Sequence, residues 1–315
     1  MGSRARRIVL GMLLLPLGLV PAMQAPALAQ APPLLTQWST LGSDPNGIAV
    51  SASGNSWVAD WNNRILRFSS NGAYLGQWGS AGRGAGQFSG PYYVALGPTG
   101  AVYVSDNHNH RIQAFNSAGT YGGQFATGWS PCGVAVDALG NVYVAGGSDN
   151  FVQKFNSNWV RVAQWNGSGA GMSPLSTPVG VAVFGDVLYV AEMGSHTIRK
   201  MTLNGDNLLR WGSHGSGNGQ LDTPTGIAVD AQGRVYVVDS WNARIEVFSS
   251  NGAYLTQWGG GGTGDGQFTA PEGIAVDAAG NVYVSDVFAD RIQKFGQLPT
   301  RANATTWGRL KRMYR

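Results

Sequence analysis

The feature that most constrains this chain is a repeated unit that fills most of its length. One copy, which begins at Pro224, reads PTGIAVDAQGRVYVVDSWNARIEVFSSNGAYLTQWG. Related copies begin at Pro45, Pro91, Pro131, Pro178 and Pro271, so successive starts are 46, 40, 47, 46 and 47 residues apart. This spacing is typical of one four-stranded propeller blade per repeat. The six copies therefore predict an all-β fold, a six-bladed β-propeller of four-stranded antiparallel blades.

The composition of each unit predicts four short strands joined by tight turns. In the copy at Pro224, the segments GIAVD, VYVVD, RIEVF and YLTQWG are rich in β-branched and aromatic residues. The segments between them carry the Gly and Asn residues that tight turns favour. In the first strand, Ile227 and Val229 point to one face, while Gly226 and Ala228 point to the other. A bulky face that meets a small face lets neighbouring blades pack closely.

The two ends of the repeat region predict how the ring closes. The last copy stops after Phe295, with three strands and no fourth segment of the Y-L-x-Q-W type. The missing segment stands instead at residues 34–38, which read LLTQW. We therefore expect the N-terminal strand to pair into the last blade, which leaves no open sheet edge between the first blade and the last.

Three motifs give the repeats a family resemblance. They are Pro-x-Gly-Ile-Ala-Val-Asp, Asn-x-Arg-Ile, and Gln-Trp-Gly followed by Gly-x-Gly-Gln-Phe, and they recur over residues 34–295. In these motifs the chain resembles the NHL repeat family. The resemblance implies a six-bladed propeller that acts as an extracellular sensor or interaction domain. The ubiquitin ligases of that family need a zinc-binding cysteine set, and this chain has only Cys132, so that activity is not carried over.

The N-terminal segment predicts export from the cell. Arg4, Arg6 and Arg7 precede an apolar stretch at residues 8–20, and Ala27 and Ala29 supply the small residues that signal peptidase requires. We expect cleavage after Ala29 and a secreted protein, extracellular or periplasmic, without a transmembrane anchor. The predicted boundaries are a signal peptide at 1–29, the propeller at 30–296 and a basic tail at 297–315.

The charge distribution argues against nucleic acid as a partner. The chain has 21 Lys and Arg against 17 Asp and Glu. Three basic residues lie in the predicted signal and five lie in the last fifteen residues, so 21 − 3 − 5 leaves 13 basic residues for the body. All 17 acidic residues lie in that body, which therefore carries about −4. A surface that binds nucleic acid by counterion release needs the opposite sign.

The tail permits two interpretations that the sequence leaves open. Residues 297–315 hold Pro299 and a polar linker, followed by Trp307, Leu310 and Tyr314 among arginines. One interpretation is a frayed basic end, since an isolated helix this short is not stable. The other is a docking signal for an anionic surface.

The candidate binding residues lie at one end of the predicted propeller. The loops between the second and third strands (b–c loops) and those between blades (d–a loops) share this end, which we call the top face; top loops are where propellers usually bind. The aromatic and imidazole side chains we expect to contact a ligand there are Trp61, Tyr92, His108, His110, His196, Trp241 and Phe288. A second ring, in the Pro-x-Gly gap, surrounds the mouth of the channel: Asn46, Tyr92, Cys132, Val179, Thr225 and Glu272.

Acidic and basic residues bracket the b–c loops in four copies. The pairs are Asp60 with Arg64, Asp106 with Arg111, Asp239 with Arg244, and Asp286 with Arg291. Because the pair recurs with the repeat, we interpret it as a brace for the loop rather than as a catalytic group. The third and fourth copies have Gly146 with Phe151 and Glu192 with Thr197 at these positions. Their rim is therefore either a product of neutral drift or a specialised contact patch.

A metal-dependent enzyme is the alternative to a binding scaffold. The amidating lyases that share this fold hold zinc with histidines in the Pro-x-Gly gap, and here that gap never contains His. Gluconolactonase-like propellers hold a divalent cation over the channel with Glu, Asn and Asp, and Glu272 and Asn46 stand at the corresponding positions. We therefore expect no cofactor unless a divalent cation binds there.

The function predicted from the sequence is a monomeric binding scaffold rather than an enzyme. Its partner would be a protein, peptide or glycan held by the top face, where large aromatic side chains supply contact area. The alternative is a divalent-metal-dependent lactonase or lyase with its site at the channel mouth.

Overall fold

The computed structural model describes residues 31–169 and 171–298. The predicted signal peptide and all of the tail after Leu298 lie outside the described residues. Twenty-four strands, β1 to β24, form six separate four-stranded antiparallel sheets. The predicted fold class is confirmed: the protein is a six-bladed β-propeller. In the described residues, no helix is long and apolar enough to span a bilayer.

Five of the six blades are built from four consecutive strands. Blade 1 contains β2 (Pro45–Val50), β3 (Ser56–Asp60), β4 (Arg64–Phe68) and β5 (Tyr74–Trp78). Blade 2 contains β6 (Pro91–Leu96), β7 (Val102–Asp106), β8 (Arg111–Phe115) and β9 (Tyr121–Ala126). Blade 3 contains β10 (Val134–Val136), β11 (Val142–Ala145), β12 (Val152–Phe155) and β13 (Arg161–Trp165).

The remaining strands follow the same order. Blade 4 contains β14 (Pro178–Phe184), β15 (Val187–Glu192), β16 (Thr197–Thr202) and β17 (Asn207–Trp211). Blade 5 contains β18 (Pro224–Val229), β19 (Val235–Asp239), β20 (Arg244–Phe248) and β21 (Tyr254–Gly259). Short 3₁₀ turns in four b–c loops span Asn107–Asn109, Gly147–Asp149, Met193–Ser195 and Val287–Ala289.

Blade 6 joins the two ends of the described chain. Its inner strands are β22 (Pro271–Val276), β23 (Val282–Asp286) and β24 (Arg291–Phe295), and its outer strand is β1 (Leu34–Ser39). The register pairs Trp38 with Ile292 and Ser39 with Arg291. The backbone groups of β24 that would otherwise form an open edge therefore have partners.

Burial falls from the inner strands of each blade to the outer one. The second strand is buried along its whole length in five blades and, in blade 4, at every position after Val187, whereas the fourth strand is half exposed in most blades. Neighbouring blades meet where the Gly of Pro-x-Gly lies against the next blade. A Cβ at Gly180 would stand 2.1 Å from the carbonyl oxygen of Thr225, so only glycine allows this approach.

The Gly-rich strings form the loops between blades, as the sequence predicts. In three of them a short parallel bridge closes the loop, and the bridging side chains Phe88, Leu221 and Phe268 are fully buried between blades. These side chains join the cores of blades 1 and 2, of blades 4 and 5, and of blades 5 and 6. The loops thus position the top face.

Candidate binding site

The Asp–Arg pairs act as braces for the top-face loops. In blade 2, Nε of Arg111 donates to the buried carboxylate of Asp106 at 2.7 Å. Its other nitrogens donate to the carbonyl oxygens of Arg83, Gly84 and Gln87 at 2.8–2.9 Å. Arg244 and Arg291 make the same set of bonds in blades 5 and 6. The guanidinium groups therefore fix the loops between blades, and every nitrogen of each group donates to another group of the protein.

Blade 4 replaces this brace with a different one. Glu192 is fully buried and accepts from Nε of Arg199 at 2.8 Å, two residues beyond the usual position of the arginine. In blade 3, Phe151 packs edge-on against Trp129, with ring centroids 4.7 Å apart. A contact patch that includes Glu192 is therefore wrong, because that side chain has no exposed surface.

Three exposed aromatic side chains lie on the b–c loops of consecutive blades. Trp241 of blade 5 is 78% exposed, Phe288 of blade 6 is 80% exposed, and Trp61 of blade 1 is 37% exposed. We call these three residues the aromatic arc. Trp61 also contacts Tyr92 and His108, with centroid separations of 6.1 and 5.9 Å. Side chains this large are rarely left in water by chance on three neighbouring loops.

The channel mouth holds Glu272 of blade 6, which is hydrogen-bonded to residues of two other blades. The Tyr92 hydroxyl donates to Oε1 of Glu272 at 2.8 Å, across the width of blade 1. The hydroxyls of Tyr93 and Thr225 donate to the Glu272 carbonyl at 3.2 and 3.1 Å. Burial raises the pKa of Glu272 to about 7, although the hydrogen bond from Tyr92 opposes the shift. Cys132 shares the mouth, and burial raises its pKa to about 12, so it remains a thiol.

Asn46 occupies the equivalent position of the adjoining blade, and its backbone carbonyl lies against Gly273, the neighbour of Glu272 in the chain. Asn46 is 2% exposed, and its Nδ2 has no hydrogen-bond partner in the structure. Glu272 and Asn46 can each offer one oxygen to a cation. A divalent ion bound there would complete its coordination largely with water or ligand oxygens.

A second group of ligand-type side chains lies at the rim between blades 4 and 5. Asp222 stands with Oδ1 3.4 Å from Nδ1 of His196 and Oδ2 3.6 Å from Nε2 of His214. Nδ1 of His196 already accepts the N–H of Thr223 at 3.1 Å. Asn63 and Asn150 make the equivalent bond with their side-chain oxygens in other blades. His196 therefore joins blades 4 and 5 by a hydrogen bond, and metal binding through its Nδ1 would break that bond.

The structure divides the predicted contact residues into two groups. Trp241, Phe288, His108 and His110 are exposed, and about a third of the Trp61 side chain is exposed. Tyr92 and His196 are half-buried and hydrogen-bonded to other residues of the protein. The sequence did not indicate the contact of His196 with His214 and Asp222, because it depends on how two loops from adjacent blades meet.

Comparison with known proteins finds a family model that matches two of the repeats. The model for the NHL repeat matches residues 88–115 and 221–248. Peptidyl-glycine alpha-amidating monooxygenase A of Xenopus laevis is 34% identical over 118 residues, which cover 31% of this chain and 13% of that protein. The mouse enzyme is 40% identical over 81 residues, covering 23% and 8%. The chain thus matches about a tenth of the length of these relatives.

Solved structures show the same fold at low identity. A streptogramin B lyase matches with a TM-score of 0.62 and 14% identity, over 82% of this chain and 96% of that one. Virginiamycin B lyase from Staphylococcus aureus matches with a TM-score of 0.58 and 14% identity, over 83% and 98%. The fold and the site thus define a closed six-bladed propeller with its loops gathered on one face. Two of its six repeats, in blades 2 and 5, match the NHL repeat model.

Proposed function

We propose that this protein, once exported, binds a protein or peptide chain through the aromatic arc on its top face. The observation that carries the proposal is the exposure of Trp241 and Phe288, at 78% and 80%, on neighbouring blades. The braces of Arg244 and Arg291 hold these two loops to the adjacent d–a loops. Large aromatic groups on rigid supports are the side chains that dominate binding energy at protein interfaces.

The proposal is tested by removing the aromatic arc. Peptides selected from a random library on the wild-type protein are titrated against a Trp241→Ala, Phe288→Ala double variant. We expect the affinity to fall by more than about tenfold, because each such anchor contributes roughly 2 kcal/mol. The matched control is Leu139→Ala, which removes an 80% exposed side chain from an a–b turn on the opposite face. Equal binding by the double variant, or no selected peptide at all, contradicts the proposal.

A second candidate function rests on the channel mouth. Glu272 can hold or release a proton near neutral pH, since burial raises its pKa to about 7, and the Asn46 amide of the adjoining blade has an unused donor. These groups suit a lactonase or lyase, with or without a divalent ion. The relatives that share the repeats and the fold include enzymes named as amidating monooxygenases and streptogramin lyases.

Metal analysis of the purified protein separates the two candidates. A stoichiometric divalent ion that is lost in Glu272→Gln would favour the enzyme. Binding of library peptides that is unaffected by Glu272→Gln would favour the scaffold, because that substitution keeps the size of the side chain and leaves the aromatic arc unchanged.

A further inference from the structure

The face opposite the aromatic arc carries the a–b and c–d turns, and side chains there bridge neighbouring blades. In each bridge, a side chain of one blade donates to a backbone carbonyl of the next blade. The accepting carbonyl lies in or beside the c–d turn of that next blade, except in blade 6, where it lies just after β24. The five bridges in the described residues are Trp57 to Ser117 at 3.2 Å, Lys154 to Leu203 at 3.1 Å, Lys200 to Ser250 at 3.0 Å, Arg234 to Leu298 at 3.3 Å, and Lys294 to Ser70 at 2.8 Å. These bridges close five of the six gaps between blades on this face.

The tyrosine of the second strand has its own partners within this arrangement. In blade 3, the hydroxyl of Tyr143 donates to Asp137 at 3.1 Å, and Nζ of Lys154 lies 5.3 Å from the centre of its ring. Blade 6 repeats both contacts with Tyr283, Asp277 and Lys294. The ring is covered by the cation, and its hydroxyl is satisfied by the carboxylate.

Blade 2 keeps the tyrosine and lacks both partners. Gly97 stands where blade 3 has Asp137, and Ala114 stands where blade 3 has Lys154. Tyr103 is only 8% exposed, and its hydroxyl makes no hydrogen bond with any described residue. A cleft of about 330 Å³ opens here between blades 2 and 3, and Tyr103 lines it. Its volume is at the lower end of the range of small-molecule sites.

The far wall of the cleft is a tryptophan in a backbone conformation that favours glycine. Trp159 has φ of +63°, whereas the corresponding turn residues Gly119 and Gly205 have φ of +93° and +94°. A bulky residue is rare in this region of backbone space. The ring centroid of Trp159 lies 5.8 Å from that of Phe125, and Trp159 also lines the cleft. Phe125 occupies the fourth-strand position that holds a tryptophan in other blades.

The chemistry of the lining identifies a class of ligand. The cleft is lined by three aromatic residues, Tyr103, Phe115 and Trp159, and by the polar residues Thr99, Asn116 and Ser117. It has no charged side chain among its lining residues, so phosphates and carboxylates would have no partner. A hydrocarbon chain would leave the Tyr103 hydroxyl without a partner. A sugar ring has an apolar face of C–H groups and an edge of hydroxyls, which matches both the rings and the polar groups.

We propose that the cleft between blades 2 and 3 binds a neutral saccharide, one pyranose ring of which stacks against Trp159 and hydrogen-bonds to the Tyr103 hydroxyl. The site is on the face opposite the aromatic arc and does not depend on the function proposed for that arc. It exists because blade 2 lacks the lysine bridge that would otherwise fill this space.

The test restores that bridge. Methyl glucoside, N-acetylglucosamine and maltose are titrated against the full-length protein by ligand-observed NMR, with Kd on the order of 1 mM expected for a ligand of this size. Ala114→Lys gives blade 2 the residue that blades 3 and 6 have, and we expect binding at least tenfold weaker. The matched control is Ala279→Lys, which adds the same charge to an exposed a–b turn of blade 6. Saturation by none of these sugars, or unchanged binding by Ala114→Lys, overturns the proposal.

A second variant separates binding from stability. Tyr103→Phe removes one hydroxyl that has no protein partner, so we expect an unchanged Tm and saccharide binding several-fold weaker. Tyr143→Phe, the same change in blade 3, removes a hydrogen bond to Asp137 and should lower Tm without affecting saccharide binding. Tyr103→Phe that binds as tightly as the wild type contradicts the proposal, even if Ala114→Lys fails to fold.

Discussion

Glu246 stands where other blades have a glutamine, and its carboxylate cannot donate the hydrogen bond that the glutamine amide gives to the loop between blades. Blades 2 and 6 have Gln113 and Gln293 on the third strand, and each accepts from a loop N–H at 2.9 Å and donates to a loop carbonyl at 2.7 Å. Glu246 of blade 5 accepts from Gly219 at 3.2 Å, and its buried Oε2 has no partner. Burial raises the pKa of Glu246 to about 7, in spite of the charge of Arg244.

We predict that Glu246→Gln stabilises the protein, by about 1 kcal/mol at pH 8, because the amide restores the missing donor. The folded pKa lies above the unfolded value, so the wild type loses stability as the pH rises from about 4.5 to 7. The advantage of the variant should therefore be smaller at pH 5. Urea denaturation at both pH values measures it, and Gln293→Glu should show the opposite sign. A variant less stable than the wild type at pH 8 would show that this account of the site is wrong.

At the scale of the element, the sequence predicted the strands and loop braces that recur among the repeats, and it missed the features found in only one blade. The strands and the braces follow from motifs that recur in register, so each copy supports the others. The cleft follows from Gly97 and Ala114, two small residues that carry no signal until the bridges of the other blades are known. The pairing of Glu192 with Arg199 was missed because the arginine stands two residues later in the strand than in the other blades. Side chains two residues apart on a strand point to the same face, so Arg199 can still reach the carboxylate.

The braces give a prediction about an element, the loop between blades. Arg111 holds three loop carbonyls and Asp106, whereas Arg64 of blade 1 contacts only Asp60 and Gln77. We expect Arg111→Ala to lower the free energy of unfolding by roughly 3–5 kcal/mol, since it leaves a buried carboxylate unpaired. Arg64→Ala should cost clearly less. Asp60 is as buried as Asp106, but Arg64 is 21% exposed and none of its hydrogen bonds reaches a loop between blades, so no loop is released. Denaturation curves compare the two, and hydrogen exchange at residues 82–88 should rise only in Arg111→Ala.

For the molecule as a whole, stability depends on closure of the ring. Each blade packs on two neighbours, and the contact between blades 6 and 1 includes Trp38 of β1, whose ring lies against Gly72 and 6.1 Å from Phe68. Trp78 makes the equivalent contact between blades 1 and 2, against Gly119 and Phe115. The two tryptophans differ in one respect. The strand of Trp78 directly follows β4 of its own blade in the chain, whereas β1 is far in sequence from the rest of blade 6 and is held there by strand pairing and by side-chain bonds such as that from Arg291 to Gln37.

This difference predicts separate effects for a side chain and for a strand. Trp38→Ala and Trp78→Ala should destabilise by similar amounts, about 3 kcal/mol each, because both remove a large ring from a contact between blades. A chain that begins at residue 40 should, in addition, expose the backbone edge of β24, which can pair with a second copy. We expect concentration-dependent association of the shortened chain in light scattering, while both alanine variants keep the size of the wild type. Leu35→Ala, a 53% exposed position on the same strand, serves as the control. A shortened chain that keeps the size and the stability of the wild type would show that β1 does not close the ring energetically.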